Sequence, residues 1–261
     1  MCKLNEFMCA LEEYAPLELS YKMIEKGDYD NSGIIAQSTN LCEKVLFSLD
    51  LSVSAVEFAT LNGCDTIVTH HPAIYHPIKR LSINDDTKAL IMAMNKSLNV
   101  ISMHLNLDVA ARGIDKCLSD AFGGQNARIL DFIDDKHGYG RESVIHGINA
   151  DEFVKKVKEV LKSDKVLFYG KGKVKKVASF CGGGADHALN AVSSGATDAD
   201  TIVTSDMPHH VLKELVELDK NVLIIPHYVS EQYGFNKFYE YIKEKLNGKA
   251  QVLYYLDKRF M

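Results

Sequence analysis

The stretch DTIVTHHP occupies residues 65–72, and its first five residues occur again as DTIVT at residues 200–204. Its β-branched and apolar residues are typical of a short buried strand. Only the first copy is followed by paired histidines, His70 and His71. A common strand pattern can recur by chance, so the segments around each copy decide whether the repeat reflects a duplicated fold.

The segments around the first DTIVT alternate between strand and helix patterns. Its first helical segment has Ser54 and Glu57 at capping-box positions and Gly63 as its end. In chain order the predicted elements are a strand at 44–50, a helix at 52–63, the DTIVT strand, a helix at 85–99 and a strand at 100–104. This order predicts a βαβαβ unit.

The second half of the chain repeats that order. Its predicted elements are a strand at 174–180, a helix at 184–195, the second DTIVT, a helix at 209–221 and a strand at 222–225. Such alternation predicts parallel strands with right-handed crossovers. We therefore predict an α/β fold of two homologous βαβαβ lobes with parallel-rich sheets, at 1–125 and 126–261, joined through a less regular segment near 126–173. The C-terminal segment is expected to pack back on the first lobe.

Composition narrows the class of protein. The 261 residues are 46% hydrophobic and 25% charged, which is typical of a globular protein. Six scattered cysteines without a CxxC pair, and charges at the N-terminus in place of an apolar leader, predict a cytoplasmic location. No apolar run is long enough for a membrane helix. A net charge of −5 argues against general nucleic-acid binding.

Polar side chains follow three of the predicted strands, where parallel α/β sheets bind ligands. Two of the groups are His-x-x-x-carboxylate pairs, whose spacing puts both side chains on one face of a helix. The candidate metal ligands are His70 and His71, Asp108 after His104, and His227 with Glu231.

A lone histidine at any of these places would more often be a core or helix-end residue, and Glu231 alone a helix-start charge. The agreement of three strand ends favours ligands. Imidazole and carboxylate donors without cysteine suit ions that keep bound water. Five donors exceed what one open zinc takes, so the sequence predicts two divalent ions (Zn, Mn or Fe) at the strand carboxyl ends between the lobes.

The sequence also resembles the dinuclear-metal family known as GTP cyclohydrolase I type 2, or as YbgI-like or Ngg-interacting-factor-three-like proteins. The segments that carry the resemblance, in order along nearly the whole chain, are DYDNSGI (28–34), VTHHP (68–72), HLNLD (104–108), CGGG (181–184) and PHYVSE (226–231). In two places the chain departs from the family pattern. Pro226 replaces a more usual glycine, and Ser205 with Asp206 replaces a more usual Gly-Glu.

The resemblance implies a ligand scheme. In it His71 and Asp108 hold one ion, His70 and His227 hold the other, and Glu231 bridges both. His104 would lie beside the pair as a further ligand or a neighbouring group. The departure at residues 205–206 leaves the second lobe's counterparts of His70 and His71 without an expected role. The family also implies a ring-shaped homohexamer.

The function expected from these features is that of a metal-dependent hydrolase. Its substrate would be a small, nucleotide-like molecule, and His104 would be a catalytic proton shuttle. The family name narrows the reaction to opening the guanine ring of GTP, although no motif in the sequence recognises guanine. The alternative is a non-catalytic metal-binding regulatory ring that engages a protein or nucleic-acid partner. The CGGG segment predicts a tight turn, with phosphate binding as its alternative.

Overall fold

The computed structural model describes residues 2–261 and shows a mixed α/β fold. Its elements up to residue 110 are α1 (Leu4–Tyr14), α2 (Leu17–Glu25), β1 (Gly33–Ala36), β2 (Lys44–Ser48), α3 (Val53–Leu61), β3 (Thr66–Thr69), α4 (Lys88–Asn95), β4 (Asn99–Ser102) and α5 (Leu105–Val109). The elements that follow are α6 (Ile114–Ala121), β5 (Gln125–Phe132), β6 (Gly138–Asn149), α7 (Ala150–Leu161), β7 (Leu167–Tyr169), β8 (Lys173–Ser179), α8 (Ala185–Ser193), β9 (Thr201–Thr204), α9 (His209–Glu217), β10 (Asn221–Ile224), α10 (His227–Lys245) and β11 (Gln251–Tyr255).

The chain forms two compact units. The first comprises the chain up to Ala110 together with Phe235–Asp257, and the second comprises Ala111–Gly234 together with Lys258–Met261. The predicted lobe boundary at residues 125 and 126 stays a prediction. Within residues 2–261, no helix combines the length and the apolarity that crossing a membrane requires.

The sheet of the first unit has the strand order β1-β4-β3-β2-β11. Strands β2, β3, β4 and β11 run parallel, and β1 is antiparallel to β4. All four residues of β3 are buried, as the apolar pattern predicts. In the register Thr69 lies opposite Ser102, so β3 and β4 end side by side. The residues that follow both strands therefore leave the sheet at the same edge.

The first crossover helix corrects one detail of the sequence prediction. Helix α3 has Ser52 as its N-cap, and the Ser52 hydroxyl accepts a hydrogen bond from the Ala55 amide at 3.1 Å. The predicted capping box of Ser54 and Glu57 is wrong, because the chain is already helical at Val53. The predicted end is confirmed, since Gly63 follows the helix with a φ of +65°.

The sheet of the second unit has the order β5-β6-β8-β9-β10-β7. Strands β8, β9 and β10 are parallel, and β7 flanks β10 in the antiparallel sense, as β1 flanks β4 in the first unit. The prediction of a parallel-rich α/β fold is confirmed. The prediction of a less regular segment near 126–173 is wrong, because this segment contains most of β5, all of β6, and α7.

The aspartate and threonine that open DTIVT bind the neighbouring strands in the first unit. The Asp65 carboxylate accepts hydrogen bonds from the backbone amides of Glu43 (2.7 Å) and Lys44 (3.0 Å) and from the Thr66 hydroxyl (2.8 Å). Asn99 donates its amide to the Asp65 carbonyl (2.9 Å) and its side-chain nitrogen to the Thr66 hydroxyl (3.3 Å). One Asp-Thr pair thus ties the starts of three parallel strands.

The second DTIVT makes the same contacts in the second unit. The Asp200 carboxylate accepts from the amides of Lys175 and Lys176, each at 3.1 Å, and from the Thr201 hydroxyl at 2.7 Å. Asn221 donates its amide to the Asp200 carbonyl (2.9 Å) and its side-chain nitrogen to the Thr201 hydroxyl (3.3 Å). The repeated sequence therefore encodes a repeated hydrogen-bond network as well as a buried strand.

We predict that Asp65→Ala and Asp200→Ala each lower the free energy of unfolding by about 1–3 kcal/mol, because backbone amides and a hydroxyl lose their acceptor. Urea unfolding followed by circular dichroism measures the change. Glu240→Ala, at an exposed position of α10, is the control and should stay within about 0.5 kcal/mol of the unchanged protein. Aspartate variants as stable as this control would contradict the network's role.

Candidate metal centre

Three histidines converge at the carboxyl ends of β3 and β4. His70, His71 and His104 each offer a ligand atom, and these atoms lie within 4.8 Å of one another. Asp108, in α5, brings its Oδ1 to 3.5 Å from His70 Nε2. The structure of the first unit thus brings together four of the residues that the sequence singles out.

Backbone contacts explain why these side chains meet. The Met103 amide donates to the Thr69 carbonyl at 2.9 Å, which extends the β3–β4 ladder to the last residue before His104. The amides of His70 and His71 both donate to the Leu49 carbonyl, at 3.0 and 3.1 Å. The histidine pair is therefore held against the ends of the strands on both sides of β3.

Every histidine of the candidate site has its Nδ1 bonded to an oxygen acceptor. The four contacts are His70 Nδ1 to the Met103 carbonyl (2.8 Å), His71 Nδ1 to Asp50 Oδ1 (2.7 Å), His104 Nδ1 to Asp30 Oδ1 (2.6 Å) and His227 Nδ1 to Asp206 Oδ2 (2.5 Å). In the neutral ring this makes Nδ1 the donor and puts the lone pair on Nε2. Metal-ligating histidines are typically oriented in this way, so the donor set fits a metal.

The acceptor of His104 is a buried carboxylate. Asp30 is 9% exposed and also accepts from the hydroxyls of Ser20 and Ser32. Burial by itself raises the pKa of Asp30, but the hydrogen bonds from His104 and the two serines and the charge of His104 outweigh it and lower the pKa to about 2. Asp30 is therefore ionised at neutral pH and fixes the orientation of His104.

The second unit has its own histidine-carboxylate pair at the start of α10. His227 is the first residue of the helix, and Glu231 lies one turn later with its Oε1 2.9 Å from His227 Nε2. Asp206, which follows β9, accepts the hydrogen bond of His227 Nδ1. The sequence left a role for residues 205–206 in doubt, and in the structure Asp206 orients a candidate ligand.

Gly182 of the CGGG segment packs directly against this pair. Its φ is +55°, and a Cβ at this position would overlap Glu231 Oε1 and lie 3.3 Å from His227 Nε2. Its amide donates to the Ser230 hydroxyl at 2.9 Å. The predicted tight turn is confirmed, and the absent side chain has a second effect that the sequence did not reveal. It leaves room for the Glu231 carboxylate.

A buried aspartate supports the same turn. Asp115 of α6 accepts a hydrogen bond from the Cys181 amide at 3.3 Å, and its Oδ2 lies 3.4 Å from Arg141 Nη1. Burial raises the pKa of Asp115 to about 6, although the charge of Arg141 opposes the rise. The turn that carries Gly182 is thus anchored to a buried ion pair.

Sequence reasoning missed the three aspartates that orient the histidines, Asp30, Asp50 and Asp206. Asp50 and Asp206 each lie two residues beyond a strand, so a search for carboxylates at strand ends would have found them. Asp30 lies in the DYDNSGI segment, but its pairing with His104 joins residues far apart in the chain.

Comparison with known proteins identifies relatives along the whole chain. The family model described as Duf34/NIF3 (NGG1p interacting factor 3) matches residues 2–257. A protein named GTP cyclohydrolase 1 type 2 homolog from Clostridium perfringens is 27% identical over 260 residues, which cover 96% of this chain and 95% of that protein. NGG1-interacting factor 3 from Saccharomyces cerevisiae is 27% identical over 261 residues, which cover 89% of this chain and 87% of that protein.

Solved structures share the fold. A Bacillus cereus protein related to NIF3 superposes with a TM-score of 0.87 at 18% identity, covering 98% of each chain. Reduced HcgD from Methanocaldococcus jannaschii gives a TM-score of 0.80 at 25% identity, covering 97% of each chain. The two-sheet architecture is therefore shared with proteins of low sequence identity.

We predict that Gly182→Ala weakens metal binding by about tenfold or more, because the added methyl group displaces Glu231 and its neighbours. It should also cost about 1 kcal/mol of stability or more, since φ is positive. Gly183→Ala is the matched control, because a Cβ there would meet only Asp206 Oδ2, at 4.0 Å. Metal titration of both variants measures the effect, and equal affinities would contradict the steric role of Gly182.

Proposed function

Because the chain belongs to the Duf34/NIF3 family, we propose that it is a dinuclear metal protein that hydrolyses a small, nucleotide-like substrate. The observation that carries the proposal is the set of histidines whose Nδ1 atoms all have oxygen acceptors, together with Asp108 and Glu231 beside their rings. The names of relatives as GTP cyclohydrolase 1 type 2 homologs support the class of reaction.

The proposed centre uses the five candidate ligands that the sequence singles out. In it His71 and Asp108 hold one ion, His70 and His227 hold the other, and Glu231 bridges the two. Nitrogen and oxygen donors accept zinc, manganese or iron alike, so the identity of the metal is left open. Two such ions would supply Lewis acidity and activate water near neutral pH.

His104 is the proposed catalytic proton carrier. Asp30 accepts the hydrogen bond of Nδ1, which leaves Nε2 as the ring nitrogen that exchanges a proton. The side chain of His104 is 15% exposed, so a small molecule can reach it. This orientation supports His104 as the general acid and base of the proposed reaction.

The proposal includes a cytoplasmic location and a homo-oligomeric state. All six cysteines are free thiols, which supports a reducing, cytoplasmic location. A homohexamer is proposed on the family resemblance alone.

A second candidate function is a non-catalytic metal-binding ring that engages a partner protein. The name of the yeast relative, NGG1-interacting factor 3, favours it. Turnover of a small molecule by the purified protein separates the two candidates.

We predict that the metal-loaded protein converts at least one purine or pyrimidine nucleoside triphosphate, GTP among them, to a product that chromatography resolves. His104→Gln should slow this reaction by about 100-fold or more while metal content stays unchanged, because a positioned general acid and base contributes about that much. If none of the purine and pyrimidine nucleoside triphosphates gives a product, the proposed hydrolase is refuted. A fully active His104→Gln would refute the role of His104.

We also predict two equivalents of transition metal per chain, measured by elemental analysis after metal supplementation. Glu231→Gln should lower occupancy of both ions, because a bridging carboxylate serves both and offsets their mutual repulsion. His70→Ala should lower mainly one. Full metal occupancy in Glu231→Gln would contradict the bridging role of Glu231. Binding of no more than one equivalent by the unchanged protein would contradict the dinuclear centre. Equal loss of both ions in His70→Ala would contradict the assignment of ligands to separate ions.

A further inference from the structure

Two loops of the first unit place three further rings near His104. Tyr29 lies in the loop before β1, and Tyr75 and His76 lie in the loop after His71. The ring centroids are 5.0 Å apart for Tyr29 and Tyr75, 4.6 Å for Tyr29 and His76, and 4.7 Å for Tyr75 and His76. Tyr75 meets His104 edge to face at 5.9 Å. The three rings, here called the aromatic cluster, thus meet the proposed proton carrier through Tyr75.

Hydrogen bonds fix the two loops to each other. Asn31 donates its side-chain nitrogen to the Ile74 carbonyl at 2.6 Å, and the Tyr75 hydroxyl donates to the Tyr29 carbonyl at 3.2 Å. Asp30, between Tyr29 and Asn31, is the acceptor of His104. One short segment therefore sets the position of the cluster and the orientation of His104 together.

The aromatic cluster remains accessible. Tyr29 is 43% exposed and Tyr75 is 41% exposed, and His76 is also exposed. Rings that served only to pack the loops would be expected to be more deeply buried, since each ring offers a large apolar surface. Lys79 and Arg80 follow in the same loop and are exposed as well, so this loop also presents two cationic side chains to solvent.

We propose that the aromatic cluster stacks on the planar heterocycle of the substrate, which makes that substrate a base-bearing nucleotide or a close relative. The inference rests on the proposed function and deepens it, because it names the part of the substrate that the site recognises. Aromatic side chains hold bases through their faces, and this contact tolerates any base because every base has such a face. With its base stacked on the aromatic cluster, the nucleotide could extend its sugar and phosphate groups toward His104, Lys79 and Arg80.

The test compares a ligand that has a base with one that lacks it. Binding of guanosine monophosphate and of ribose 5-phosphate to the metal-loaded protein is measured by calorimetry. Tyr29→Leu and Tyr75→Leu should each weaken guanosine monophosphate binding by about tenfold or more while ribose 5-phosphate stays within about twofold. Tyr21→Leu, at an exposed position of α2 outside the aromatic cluster, is the control and should bind both ligands as the unchanged protein does.

Thermal unfolding and metal content of each variant complete the experiment. Intact metal content with selective loss of guanosine monophosphate binding supports the stacking site. Equal affinity of the unchanged protein for both ligands, or retention of guanosine monophosphate binding by both folded leucine variants, overturns it. Failure of the proposed function is distinct, because it would appear as missing metal or missing turnover in the unchanged protein, whatever the leucine variants bind.

Discussion

The carboxylate that opens each DTIVT segment fixes the strands on which the candidate site depends. Asp65 and Asp200 each bind two backbone amides of the preceding strand and the hydroxyl of the next residue. Strands β3 and β9 contain only four residues, so fixing their starts also fixes their ends. A slip of one residue would turn every following side chain to the other face of the sheet. The position of His70 thus depends on a contact at the opposite end of β3.

The acceptors of the four histidines differ in a way that burial explains. His70 is fully buried and uses the neutral carbonyl of Met103, whereas His71 and His227 lie nearer the surface and use Asp50 and Asp206. A carboxylate in place of the Met103 carbonyl would lose its hydration at this buried position, which is costly unless several donors replace it. Asp30 is the buried exception, and it has such donors in His104 and two serine hydroxyls.

The sequence predicted the parts of this protein that depend on local pattern. Parallel strands, crossover helices and candidate ligands follow from apolar runs, helical spacing and residues at strand ends. Strand β5 was missed because most of its residues are exposed and lack an apolar face. The aspartates that orient the histidines were missed because a hydrogen bond such as Asp30 to His104 joins distant segments. The steric role of Gly182 depends on Glu231, which is also distant in the chain.

The two DTIVT segments are followed by different residues at matching positions. After the first DTIVT the chain has His70 and His71, and after the second it has Ser205 and Asp206. In the proposed centre the first pair binds metal. Asp206, the counterpart of His71, instead accepts the Nδ1 proton of His227. The same strand end therefore offers candidate ligands in one unit and the residue that orients a candidate ligand in the other, so the same five residues can support the strand in both units while the next two differ.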